Sequence, residues 1–146
     1  MRRIPVVRRM FEVETIEAPT GGARVKRLIT KKRDGAELLL GVCFMDPGEE
    51  TKTWSSEYEY AKDAVVVQPM KIKGRSKGVH FGPWHEVYYT IKGELSLFWG
   101  SSEKNMKELR FSEGDAVYLA PGWKYRLKNR GTEPAFTVYA GTPPPE

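Results

Sequence analysis

Apolar residues along this chain come in short bursts, alternating or unbroken, and only one stretch shows anything like a helical spacing. Residues 36–45, AELLLGVCFM, run apolar from the turn KRDG to the Pro-Gly of DPGEE, which predicts a buried strand. DAVVVQPM (63–70) is β-branched and ends beside a proline, and EVYYTIKGELSLFW (86–99) predicts two strands parted near Gly93. MKELRF (106–111) alternates into the turn SEGD. AVYLAPGW and KYRLKN follow, and after the turn NRGTEP comes a last strand, AFTVYAG. The tail TPPPE, residues 142–146, is expected to be extended and unpaired, because proline lacks the N–H that a ladder needs. The single helix candidate, SSEYEYAKDAV, would make about two turns. At least seven short strands at roughly ten-residue spacing predict an all-β sandwich or barrel. No repeat or linker divides the chain, so the expectation is one domain over 1–146. Its barrel core lies at about 36–141, with N-terminal strands within 1–35.

Composition narrows this only a little. The 146 residues are 40% hydrophobic and 29% charged, with a net charge of +5. No apolar run is long enough to cross a bilayer, so no membrane partner is expected. The opening MRRIPVVRRMFEVE has basic flanks but no apolar centre, so it does not read as a signal peptide. Cys43 is the only cysteine, which excludes an internal disulfide and a cysteine-cluster metal site, and a cytoplasmic location is expected. Basic residues gather at Arg2, Arg3, Arg8 and Arg9 and in KIKGRSKG (71–78), but elsewhere they interleave with Glu and Asp. No nucleic-acid motif accompanies them, and a solvated surface accounts for the charge.

Two motifs carry a family resemblance. GDAVYLAPGWKYRLKN (114–129) resembles the second cupin motif, in which Gly-Asp opens a strand and a Pro-Gly turn precedes a metal-binding histidine and a later asparagine. Gly114, Asp115, Pro121, Gly122 and Asn129 stand at those positions. EVYYTIKGEL resembles the end of the first motif, with Glu86 as its glutamate and Gly93 as its turn, and PGEETKTWSS (47–56) resembles the lead-in. The resemblance implies a cupin-type double-stranded β-helix, a jelly-roll barrel. It also implies metal-dependent lyase, isomerase, cyclase or oxygenase chemistry on a small organic compound, and a homodimer in which the segment IPVV contacts the partner. A typical cupin site has three histidines and one glutamate. Here Tyr125 stands where the second motif has its histidine, and the first motif allows two registers. Counting back from Glu86 places His80 and Gly82 at the histidine positions; counting forward from Pro47-Gly48 places Trp54 and Ser56 there, with an insertion over about 57–79. Neither register restores three histidines.

Strand alternation then sorts the candidates. If 80–90 is regular, His80, Trp84, Glu86, Tyr88 and Thr90 share one face, and His85, Val87, Tyr89 and Ile91 the other. His85 reaches the same metal as Glu86 only through a bulge at GPW. The candidate ligands are His80 and Glu86, then His85 and Tyr125. Imidazole plus carboxylate suits Fe, Mn, Zn or Ni. The catalytic candidates are Glu86 and His80 as general base, with Tyr125 beside them. Trp54, Trp84, Tyr88 and Trp123 are candidate ligand-binding rings, suited to a flat or partly apolar molecule. The plainer alternatives are a hydrogen-bonded core histidine, a salt-bridged Glu86, a wall tyrosine and core-filling rings. No nucleophilic triad and no phosphate-cradling loop is readable. Two functions stay open: a metal-dependent enzyme, or a metal-free barrel that binds or senses a small ligand.

Overall fold

Cross-strand pairing sorts the chain into two six-stranded sheets, seen in a computed structural model that describes residues 2–56, 70–71, 79–80 and 83–144, the two short pairs at the backbone. The strands are β1 (Ile16–Glu17), β2 (Arg24–Ile29), β3 (Leu39–Met45), β4 (Trp54–Ser55), β5 (Met70–Lys71) and β6 (Val79–His80). They continue as β7 (His85–Lys92), β8 (Glu94–Gly100), β9 (Lys107–Ser112), β10 (Ala116–Leu119), β11 (Lys124–Asn129) and β12 (Ala135–Thr142). One sheet runs β1-β2-β3-β12-β7-β10 and the other β5-β6-β4-β11-β8-β9. All ladders are antiparallel except β4 with β6. The expected all-β architecture is therefore present, and β3 and β7 to β12 are the strands that the apolar bursts marked.

The two inner faces meet in one core. Val25, Leu39, Cys43, Met45, Leu119 and Tyr139 from the first sheet pack toward Trp54, Leu95, Leu97, Phe111, Tyr125 and Leu127 from the second. Burying each such aliphatic side chain contributes roughly 1.5–3 kcal/mol. Asn129, 1% exposed, ties the sheets together at one end: its Nδ2 donates to the carbonyls of Met45 and Glu133, and its Oδ1 accepts from the Gly131 N–H.

Several local expectations change. KRDG is not a plain turn but a short helix, α1 (Lys31–Asp34): the Thr30 hydroxyl caps it by accepting from Arg33 N–H, and Gly35 ends it at φ 66°. Thr142 is not part of an unpaired tail; it pairs with His85 at the end of β12, and its hydroxyl donates to the Glu37 carbonyl. The helix candidate SSEYEYAKDAV (55–65) and the strand candidate 63–70 fall outside the described residues, apart from Ser55, Ser56 and Met70. No helix among the described residues is long and apolar enough to cross a membrane.

The N-terminal strands add a hairpin to the barrel. Its tip, 18–23, is closed by Ala18 N–H to the Ala23 carbonyl and Gly21 N–H to the Ala18 carbonyl, and is held down by Lys52 N–H to the Thr20 carbonyl. Gly22 makes this seat possible: it has φ 70°, and a Cβ there would lie 2.1 Å from the Glu50 carbonyl oxygen.

Two strand glycines make room for large rings. Gly41 on β3 faces Tyr139 across the ladder, and a Cβ on it would stand 2.5 Å from that ring. Gly141 on β12 faces Glu86, and a Cβ there would lie 2.2 Å from the Trp84 indole. Gly141→Ala should therefore push Trp84 out of its seat and cost about 1–3 kcal/mol. Urea unfolding with tryptophan fluorescence checks this, and an unchanged midpoint would contradict the packing described.

Candidate functional site

Strand β7 alternates cleanly, with Trp84, Glu86, Tyr88 and Thr90 buried and His85, Val87 and Tyr89 exposed. Trp84, Glu86 and Tyr88 of the inward set border a cavity of about 70 Å³. That is several times the roughly 10–15 Å³ that one water needs. Val25, Leu39, Trp54, Trp84 and Leu127 form its apolar wall, and the hairpin tip closes it with Ala18, Pro19 and Thr20. Its polar lining is Arg27, Cys43, Thr51, Glu86, Tyr88 and Tyr139.

Glu86 is the centre of this site. It is 4% exposed, and its Oε1 has no hydrogen-bond partner among the described residues. Burial pushes its carboxyl from the ordinary 4.5 up to about 8, and a hydrogen bond with Tyr88 pulls it partly back. Burial raises the Tyr88 phenol well above its usual range, and the neighbouring Glu86 raises it further. The Tyr139 phenol is also raised by burial, although Arg27, hydrogen-bonded to it, acts the other way. Cys43 is pushed up to about 12, chiefly by burial, and its thiol is an inert wall group at neutral pH. The phenols stay protonated and the carboxyl titrates at about 8, so among the described residues Glu86 is the group in this cavity placed to gain or lose a proton within a unit or so of neutrality.

The other candidate residues divide. Trp54, Trp84 and Tyr88 line the cavity. His85 does not: it lies on the outer face, where its Nδ1 is 2.6 Å from the Tyr118 hydroxyl and its ring stacks on Tyr118. With its side chain on that face it cannot share a metal with Glu86. Tyr125 is a buried wall residue beside Trp54, with ring centroids 5.9 Å apart; its hydroxyl donates to the Ala120 carbonyl and burial keeps its phenol protonated. That bond and that proton oppose its expected role as a ligand. Trp123 precedes β11 at the end of the sheet, 39% exposed, and packs edge-on against Trp99 rather than on the cavity. His80 is paired at the backbone with Ser55 and Met70, and its side chain lies outside the described residues. Among the described residues no three His, Cys, Asp or Glu side chains come together. Glu86 alone of the expected ligands borders the cavity there, so the described residues do not assemble a metal centre.

Sequence reasoning passed over Arg27 and Tyr139. In RVKRLI, Arg27 stands two residues from Val25 and so in its apolar phase, which is the available signal for an inward-facing cation. Tyr139 falls inside AFTVYAG, where nothing separates it from an ordinary core ring.

No protein-family model matches the chain. It is 39% identical over 49 residues to the glucose-6-phosphate isomerase of Thermococcus onnurineus (strain NA1), covering 34% of this chain and 26% of that protein. It is 31% identical over 71 residues to the tetracenomycin polyketide synthase protein TcmJ of Streptomyces glaucescens, covering 48% of this chain and 44% of that one. The match thus spans less than half of either relative's length. Among solved structures, a predicted oxalate decarboxylase from Thermotoga maritima superposes with a TM-score of 0.64 at 17% identity, covering 94% of this chain and 98% of that one. The cupin domain of Drosophila melanogaster CENP-C gives 0.63 at 12% identity over 93% and 75% of the two chains. The hydroxypropylphosphonic acid epoxidase of S. wedmorenis gives 0.61 at 13% identity over 93% and 58%.

Burial of Glu86 has a measurable pH signature. Its folded pKa lies above the unfolded one, so the stability it contributes is fully present below about pH 4.5 and is lost as pH rises through about 8. Between these values wild-type protein should lose stability relative to Glu86→Gln by on the order of a few kcal/mol. Urea unfolding of both from about pH 5 to about pH 8 tests this; parallel profiles would place the carboxyl in water.

Proposed function

We propose that this chain, which has the cupin fold, binds a small, partly apolar organic molecule in the cavity around Glu86 and exchanges a proton with it through that carboxyl. The observation that carries this reading is the buried Glu86 Oε1, without a hydrogen-bond partner among the described residues, in a cavity that the Trp84 and Trp54 rings also line. A buried carboxyl raised to about 8, and so mostly protonated at neutral pH, suits general acid–base chemistry, of the isomerase or lyase type. The names of two similar proteins, an isomerase and an oxalate decarboxylase, support that class; the CENP-C cupin domain supports a binding role without chemistry. Trp84 and Tyr88 position the ligand's flat or apolar part, and Tyr88 holds the Glu86 carboxyl in place. Among the described residues, Glu86 is the one candidate ligand bordering the cavity for the Fe, Mn, Zn or Ni ion implied by the family resemblance, and a single carboxylate does not make a site for it.

The test is ligand screening by protein-observed NMR on untreated and chelator-dialysed protein. Small aromatic or aliphatic compounds should shift Trp84 and Trp54 indole signals equally in both samples. Trp84→Ala should weaken binding about tenfold or more. Glu86→Gln should keep binding and abolish turnover of any substrate found. Binding lost on chelation and restored by a divalent ion would assign the metal-dependent reading instead. Binding without turnover in wild-type protein would leave the non-catalytic barrel.

The same chain is proposed to pair as a homodimer across the outer face of the first sheet, where Val87, Tyr89, Ile91 and Tyr118 are exposed, with Ile4 and Val7 of the N-terminal segment also exposed. Sedimentation should give twice the chain mass, and Tyr89→Glu should shift it to the monomer.

A further inference from the structure

The surroundings of Glu86 leave half of its carboxyl unmet. Its cross-strand neighbours are Leu119 on β10 and Gly141 on β12, and neither offers a polar side chain. The Trp84 indole fills the space over Gly141. Tyr88, two residues along β7, hydrogen-bonds the carboxyl. Oε1 has no hydrogen-bond partner among the described residues, so the Tyr88 bond falls on Oε2. Burial keeps the Tyr88 phenol protonated, which makes it the donor of that bond. Oε2 therefore accepts, and the proton of the neutral carboxyl belongs to Oε1. Burial raises this carboxyl to about 8, so the proton is held there below that pH. A buried O–H without an acceptor is unfavourable, and the cavity that Glu86 borders is the space from which an acceptor can come.

The rest of the lining selects against charge. An anion would meet Glu86, the one acid there among the described residues, and Arg27, which already has partners, Tyr139 among them. An ammonium would share the space with the Arg27 charge and face an O–H that has no use for another donor. Val25, Leu39, Trp54, Trp84 and Leu127 offer the remainder of a ligand only apolar surface. We propose that the ligand is a small uncharged aldehyde or ketone whose carbonyl oxygen accepts a hydrogen bond from Glu86 Oε1 while its apolar part lies in the cavity with Trp54 and Trp84. This assignment rests on the cavity being the ligand site, and it names the class of ligand.

Protein-observed NMR at about pH 6, following the Trp54 and Trp84 indole signals, tests it with four molecules of one branched shape. These are acetone, 2-chloropropane, acetate and the isopropylammonium ion, small enough for a cavity of about 70 Å³. Wild-type protein should bind acetone about tenfold or more tighter than each of the other three. Glu86→Gln still donates, through its amide, and should keep that preference. Glu86→Leu removes the donor without leaving an unmet polar group, and should bring acetone within about twofold of 2-chloropropane. Equal binding of acetone and 2-chloropropane to wild-type protein overturns the assignment while the cavity reading stands. So does an acetone preference that is lost in Glu86→Gln or survives in Glu86→Leu. Acetate or isopropylammonium bound tighter than acetone overturns the choice of an uncharged ligand. If none of the four shifts the indole signals of folded wild-type protein at about 50 millimolar, the cavity reading falls, and this inference with it.

Discussion

A carboxyl group kept out of water sets the terms for the rest of this molecule. Removing Glu86 from solvent is unfavourable for its charged form, and among the described residues no cation acts on it to offset that. The barrel tolerates it because the group can remain protonated and because Tyr88 shares a hydrogen bond with it. What buries it is specific packing: the Trp84 indole settles over Gly141, the Tyr139 ring over Gly41, and the hairpin tip closes on the segment 50–52. Each of these depends on a missing side chain. The chemistry of the site is thus written partly in residues that have none.

Much of the framework was legible in the sequence because strands announce themselves by period and turns by residue type. The run before DPGEE became β3, and the break at Gly93 fell between β7 and β8. Alternation from Trp84 to Thr90 also told which side chains point inward. The site was only half legible. His85 and Trp123 looked like candidates through chemical identity alone, yet phase put the first outside and the end of the sheet put the second at the rim. Tyr125 sat at a position where a motif wants a ligand, but its hydroxyl is committed to a backbone carbonyl, which no one-dimensional pattern shows. Arg27 was hidden for the opposite reason: a basic residue in a basic chain draws no notice until register sets it opposite Gly41 and Tyr139.

The fold by itself leaves function open. Structures of comparable similarity to this one bear the names of a decarboxylase, an epoxidase and a CENP-C domain, at identities of 12–17%. Such barrels share strands and corners, and differ in what lines the interior. Here the lining among the described residues is mostly hydrocarbon and indole, with one acid, one guanidinium and two phenols placed along it.

The hairpin of β1 and β2 gives the division of labour within the chain a particular form. It is an edge element, joined to the barrel by the β2–β3 ladder and a few hydrogen bonds at its tip, yet it brings both the cap over the cavity and the guanidinium inside it. Glu86, the group proposed to exchange a proton, belongs to β7, deep in the scaffold. The cap and the buried carboxyl thus come from separate stretches of polypeptide, and exchanging a dozen or so residues near the start of the chain would alter the cavity's cover while leaving the strand that bears Glu86 intact.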